Sequence, residues 1–172
     1  MTIEPDSKDW TWVLGERCPE CGLAAGDVVP TDIADRTRAD LPRWEAVLAR
    51  PDARERPSAS VWSPTEYACH VRDVFELFGE RVQLMLAEDD PQFANWDQDE
   101  TAVADDYASQ DPSVVSGQLV AAGEALAEVF DSVPVDAWGR TGRRSDGSEF
   151  TVATLAQYFL HDVVHHVHDV RG

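Results

Sequence analysis

Apolar residues recur along most of the chain at spacings of three and four, the repeat of a helix that turns one face inward. Ile33, Thr37, Leu41, Trp44 and Leu48 form the first such stripe, opening after Thr31-Asp32, and Pro42 within it is expected to kink or split the helix. Ala49 to Val61, with Pro51 and Pro57 among mixed charges, reads as a connection. A second helix starts at Ser63-Pro64-Thr65-Glu66, which joins a cap hydroxyl, a first-turn proline and a capping-box glutamate, and it runs to about Glu88. Its stripe is Tyr67, Val71, Val74, Phe75, Phe78, Val82 and Met85. His70 lies three after Tyr67 and four before Val74, so it faces inward or into a cleft.

From Asp89 to Gln110 the chain is acidic and aromatic, with Phe93, Trp96 and Tyr107 and no sustained period. Such a segment suits a binding loop or lid, and it is the candidate surface for a homodimer or other contact. Asp111-Pro112 opens a third helix carrying Val115, Leu119, Ala122, Leu126 and Val129. Gly139 to Ser148, with Arg140, Arg143 and Arg144, suits a turn or short hairpin. Thr151 caps a fourth helix whose inner side is Val152, Leu155, Ala156, Phe159, Val163, Val167 and Val170. Residues 1–30 have Gly15, Gly22, Gly26 and Pro30 and little periodicity, and read as a loop-rich arm. The expectation is an all-α protein: a four-helix bundle over 31–172, of up-down type with long connections, preceded by that arm.

The net charge of -19 and pI near 4.3 exclude a partner recognised through its phosphates, so neither nucleic acid nor an anionic membrane is expected. No apolar run approaches the roughly 20 residues that cross a bilayer. The acidic opening Met1–Asp6 lacks the pattern of a signal peptide, which makes a cytoplasmic location the expectation. Cys18, Cys21 and Cys69 form an odd set, not a disulfide framework. Cys69, without a basic neighbour in sequence, is expected to be a small buried residue beside His70.

Chemistry concentrates in the fourth helix, where His161, His165, His166 and His168 bring four of the five histidines together. Side chains four apart on a helix point the same way, so His161 with His165, and Asp162 with His166, are each spaced to reach one ion. At about 100° per residue, Asp162 and His166 fall within about 60° of Phe159, the centre of the buried face, while His161 and His165 lie more than about 100° away. An acid and a histidine beside the core are costly unless paired or coordinated. With His70 from the second helix they make a two-histidine, one-carboxylate set with open positions, suited to a divalent zinc, iron, nickel or manganese ion. Cys18-Pro19-Glu20-Cys21 stands alone as a CxxC. It admits a redox pair, inert loop cysteines, or half of a candidate second zinc site completed by His161 and His165.

Trp62-Ser63-x2-Glu66-x3-His70-x2-Asp73 resembles the second-helix signature of the DinB-like superfamily, and Asp162-x3-His166-x2-Asp169 is similar to the Glu-x3-His-x2-Asp of mycothiol-dependent maleylpyruvate isomerase. The resemblance covers residues 31–170. It implies a four-helix bundle, a metal held by His70, Asp162 and His166, and a thiol S-transferase or isomerase that joins a low-molecular-weight thiol such as mycothiol to an electrophile. It does not imply DNA binding. Aspartate where relatives have glutamate or histidine is the departure, and it keeps His161 and His165 open as the rival pair. The competing expectation is a non-catalytic metal-binding or stress-associated protein on the same bundle.

Overall fold

A computed structural model describes residues 9–172, so the first eight residues of the expected arm and the acidic opening lie outside it. Five helices form: α1 (Ile33–Leu48), α2 (Pro64–Ala87), α3 (Gln98–Ala104), α4 (Pro112–Asp131) and α5 (Val152–Asp169). Four of them make the bundle. Helix α4 packs along both α1 and α2, and α5 closes the opposite side against the same two helices. The core between them is apolar and aromatic, with Trp44, Phe75, Leu119, Leu126 and Phe159 all below 3 % exposed. None of the helices of the described residues is long and apolar enough to cross a membrane.

Helix α1 runs through Pro42 as one helix, so the expected split does not occur. Proline removes one backbone donor, but Pro42 is exposed, where water can serve the carbonyl left over. Leu41 and Trp44 on either side are buried and hold the helix to the core. In α4 the stripe is broader than expected: Gly123, Ala127 and Phe130 are buried, whereas Ala122 and Val129 are only half-buried.

The segment expected to be irregular contains α3, capped by the Asp97 carboxylate on the Asp99 and Glu100 N–H groups. With seven residues and none of them buried, α3 has no stripe to read. Strand β1 (Gln92–Phe93) pairs in parallel with β2 (Thr141–Arg144), and β2 pairs antiparallel with β3 (Glu149–Thr151). This small sheet brings the 89–110 connection and the hairpin before α5 to the same end of the bundle. The arm lies against α5 through 3-10 turns at Thr11–Leu14 and Ala25–Asp27. Val13 and Ala25 are fully buried, and the Gln157 amide donates to the carbonyls of Gly26 and Val28 at 3.2 and 2.8 Å. Gly26 is needed there, because a Cβ would fall 2.0 Å from the Leu14 carbonyl oxygen.

The start of α2 is held by Glu66, whose carboxylate accepts from the Ser63 N–H at 2.8 Å while its own N–H reaches the Ser63 hydroxyl at 3.3 Å. Arg56 also donates to that carboxylate, with Nε at 3.1 and 2.9 Å from its two oxygens. Burial pushes the Glu66 carboxyl up, but the Arg56 and Ser63 bonds outweigh it and leave it below its ordinary value. A group so depressed adds stability that is present above the ordinary carboxylate range and lost as pH falls through its folded value. Glu66→Gln is therefore expected to lower unfolding free energy at neutral pH by about 1–2 kcal/mol. It should also flatten the loss of stability below about pH 4. Denaturant titration at several pH values checks both, and a variant with an unaltered acid limb would contradict the assignment.

Candidate metal centre

The capping box fixes the first turn of α2, and two turns later His70 enters the seam between α2 and α5, fully buried. Trp96 stacks on its ring at 5.3 Å and Trp62 lies 5.6 Å away. Across the seam, α5 presents Asp162 and His166 one turn apart. Asp162 Oδ1 lies 3.5 Å from His70 Nε2 and 3.8 Å from His166 Nε2, and the two imidazoles meet edge to face at 4.9 Å. One donor atom from each of the three residues lies within 4.8 Å of the others. The structure thus brings together the three residues singled out by helical rotation.

Their polar atoms are poorly served by the protein. Among the described residues, six buried side-chain polar atoms lack a hydrogen-bond partner, and His70 Nδ1, His70 Nε2 and Asp162 Oδ1 are three of them. Native interiors rarely leave such atoms unmet, so a cluster of them facing one another fits a cation between them. Burial pulls the His70 pKa down against the opposing pull of Asp162. Burial would raise the Asp162 carboxyl, but the histidines around it, His166 first, hold it at about 2. An ionised carboxylate beside a neutral imidazole is the protonation state that metal ligation needs.

His166 is oriented from behind, because its Nδ1 lies 2.9 Å from Asp169 Oδ2 while its Nε2 faces Asp162. Metal-bound imidazoles are commonly held this way, with the second nitrogen on a carboxylate. Tyr67 packs on the same ring at 5.1 Å. The site opens into a cleft of about 710 Å³ whose walls include Trp10, Trp62, Tyr67, Trp96, Arg144 and Tyr158. Trp96 is carried over His70 by the segment expected to act as a loop or lid. That segment is tied down by the Trp96 indole on Thr101 Oγ1 at 2.8 Å, by a Tyr107–Asp73 hydrogen bond, and by Arg72 on Gln110 at 2.9 Å.

The other sequence candidates lie outside this triad. His161 and His165, at 3 % and 7 % exposure, touch the same cleft but group with Cys18 and Cys21. Burial pulls the His161 pKa down to about 4 and pushes the Cys21 thiol up to about 11, the reverse of what a reactive redox thiol shows. Cys69 is fully buried, its thiol pushed up to about 12 by burial. The three arginines of the hairpin do not act together. Arg140 donates to the Met85 and Glu88 carbonyls and Arg143 pairs with Asp90, which leaves only Arg144 on the cleft. Trp62 and Trp96 beside His70 carry no periodic signal that sequence reading could have used.

A family model described as the DinB superfamily matches residues 33–170. Of the solved structures, YfiT from Bacillus subtilis, described as a probable metal-dependent hydrolase with an unusual four-helix bundle topology, superposes with a TM-score of 0.67. The two are 16 % identical, over 97 % of this chain and 89 % of that one, so the likeness speaks to the fold. None of the curated proteins matches the chain.

If the unmet atoms of His70 await a cation, their cost falls on the metal-free state. In chelator-treated protein His70→Leu is expected to be at least as stable as the wild type, since it removes two unsatisfied nitrogens at roughly 1–3 kcal/mol each and adds apolar packing. Added divalent metal should then raise the melting temperature of the wild type by clearly more than that of the variant. A metal-free variant that melts well below the metal-free wild type would show that His70 is satisfied by the protein alone.

Proposed function

The chain belongs to the DinB superfamily, and from that premise we propose that it is a metal-dependent enzyme acting on small molecules, with one divalent ion held by His70, Asp162 and His166. The observation that carries this reading is the set of facing donor atoms on His70 and Asp162 that have no hydrogen bond, with Asp162 and His166 lining the cleft and His70 buried behind them under Trp62 and Trp96. Three protein ligands leave coordination positions for substrate, the arrangement of catalytic rather than structural sites. Such an ion, with zinc the leading choice, supplies the Lewis acidity that makes a thiol or a water molecule a competent nucleophile at neutral pH.

The chain's own groups do the rest. Asp169 holds the His166 ring so that Nε2 points into the cleft. Trp62 and Trp96 seal His70 from water, and Tyr67 supports the far ring. Six aspartates line the cleft, among them Asp97 and Asp146, against the single guanidinium of Arg144, itself paired with Asp146. That field favours neutral or cationic substrates over anions.

The reaction proposed is S-transfer: the sulfur of a low-molecular-weight thiol such as mycothiol would bond to an electrophilic carbon, its proton passing to solvent, while the carbon either releases a leaving group with the bonding pair or takes up a proton after addition to a double bond. Hydrolysis is the second reading, favoured by the description of the structural neighbour as a metal-dependent hydrolase. Turnover of a panel of uncharged electrophiles, followed by thiol consumption, set beside ester and amide cleavage, separates the two. Bound metal with neither activity would leave a metal-binding protein without chemistry.

His70→Ala and His166→Ala are each expected to lose most of this ion, whereas His161→Ala should keep the ion that His70→Ala removes, as read by elemental analysis of the single and the combined variants. Asp169→Asn should keep the ligands yet weaken affinity by about 10–100-fold. Loss of the ion from His161→Ala with full retention in His166→Ala would reverse the choice of helix face.

A further inference from the structure

The proposed centre does not use the neighbouring face of α5, where His161 and His165 are more deeply buried than His166. The arm covers them. The Trp10 ring lies 5.6 Å from His161 and 5.3 Å from His165, and the Cys18–Cys21 turn sits against the same two imidazoles. That turn is closed by the Gly22 N–H on the Cys18 carbonyl at 3.0 Å and the Cys18 N–H on the Leu23 carbonyl at 2.9 Å. Gly22 takes φ +77°, a conformation that glycine adopts without strain.

Four donor atoms lie close enough to converge on one ion. One atom each from Cys18, Cys21, His161 and His165 lies within 4.8 Å of the other three. Cys18 Sγ and His165 Nδ1 are 3.6 Å apart, against about 3.5 Å for the sulfur-to-nitrogen edge of a zinc tetrahedron. His161 Nε2 is buried with no hydrogen-bond partner. His165 turns its other nitrogen, Nε2, toward Glu20 at 3.5 Å and Asp169 at 3.7 Å, so that a proton on Nε2 faces carboxylates and the Nδ1 lone pair faces Cys18. The acidic neighbours also offset the charge that an ion would bring.

We propose that Cys18, Cys21, His161 and His165 form a second metal site, a closed Cys2His2 zinc site that fastens the N-terminal arm to α5. Four protein ligands leave no position for substrate, so the role is structural. Its consequence reaches the cleft, because Asp9 and Trp10 of the arm line it together with Trp96 and Arg144. Zinc in this site sets that wall in place.

The test uses the full chain as purified. Elemental analysis should give about two ions per chain, Cys18→Ser with Cys21→Ser should remove one, and His70→Ala should remove the other. Cobalt-substituted wild type should show intense sulfur-to-metal charge-transfer bands that persist in His70→Ala. In the native zinc protein Cys18 and Cys21 should resist thiol reagents until a chelator is added. Loss of an ion from His70→Ala alone, with the double serine variant fully loaded, would overturn this inference and leave the proposed function standing. Loss from the double variant alone would do the opposite. Should the double variant fail to fold, the wild-type cobalt spectrum and thiol protection decide: no sulfur band and freely reacting Cys18 and Cys21 would overturn the second site.

Discussion

His70 lies fully buried between α2 and α5 with neither ring nitrogen in a hydrogen bond, and its Nε2 faces, at 3.5 Å, an Asp162 oxygen that also has none. An apolar bundle cannot absorb such groups without cost. The surrounding structure makes sense as a device for holding them in place regardless. The capping box and the Arg56–Glu66 pair fix where α2 begins, which sets the turn on which His70 appears. The Phe75, Phe78, Phe130 and Phe159 rings lock α5 against α2 and α4, which fixes the register of Asp162 and His166.

The aromatic cover above His70 depends on the connections rather than on the bundle. Trp96 belongs to a segment stitched to β2 by β1 and to α2 through Tyr107 and Asp73. Asp73 in turn pairs with Arg72, whose guanidinium reaches both Gln110 and Gln118. This polar network on α2, one turn from His70, holds the segment that carries Trp96 over the ring. Access to the cleft is decided by the same segment.

Asp169 stands between the two donor clusters. One of its oxygens bonds His166 and the other faces His165, so a single carboxylate orients an imidazole in each. Four of the six unpartnered buried polar atoms among the described residues belong to these clusters, which puts most of the unmet polarity of the interior on one helix and the seam beside it. The acidic lining of the cleft belongs to the same design. It stabilises bound cations and repels anions, in keeping with a chain of net charge -19.

Helical repeats and caps were legible in the chain itself, because an amphipathic helix writes its buried face at 3.6-residue spacing whatever it packs against. For that reason the inward face of His70 on one helix, the pairing of Asp162 with His166 on another, and the stripe from Val152 to Val170 could be read from rotation about each helix axis, while the meeting of His70 with the pair rested on the resemblance. The extent of α1 through Pro42 and the existence of α3 could not, since one turned on the solvent exposure of a single residue and the other on a helix with no buried side. The burial of His161 and His165 was beyond reach for a stronger reason. They lie on the face that periodicity assigns to solvent, and only the packing of an aperiodic arm, where Cys18 meets His165 across 147 residues of sequence, takes that face out of water. Local pattern determines which face of a helix seeks the core, but tertiary contact decides whether its other face is left exposed.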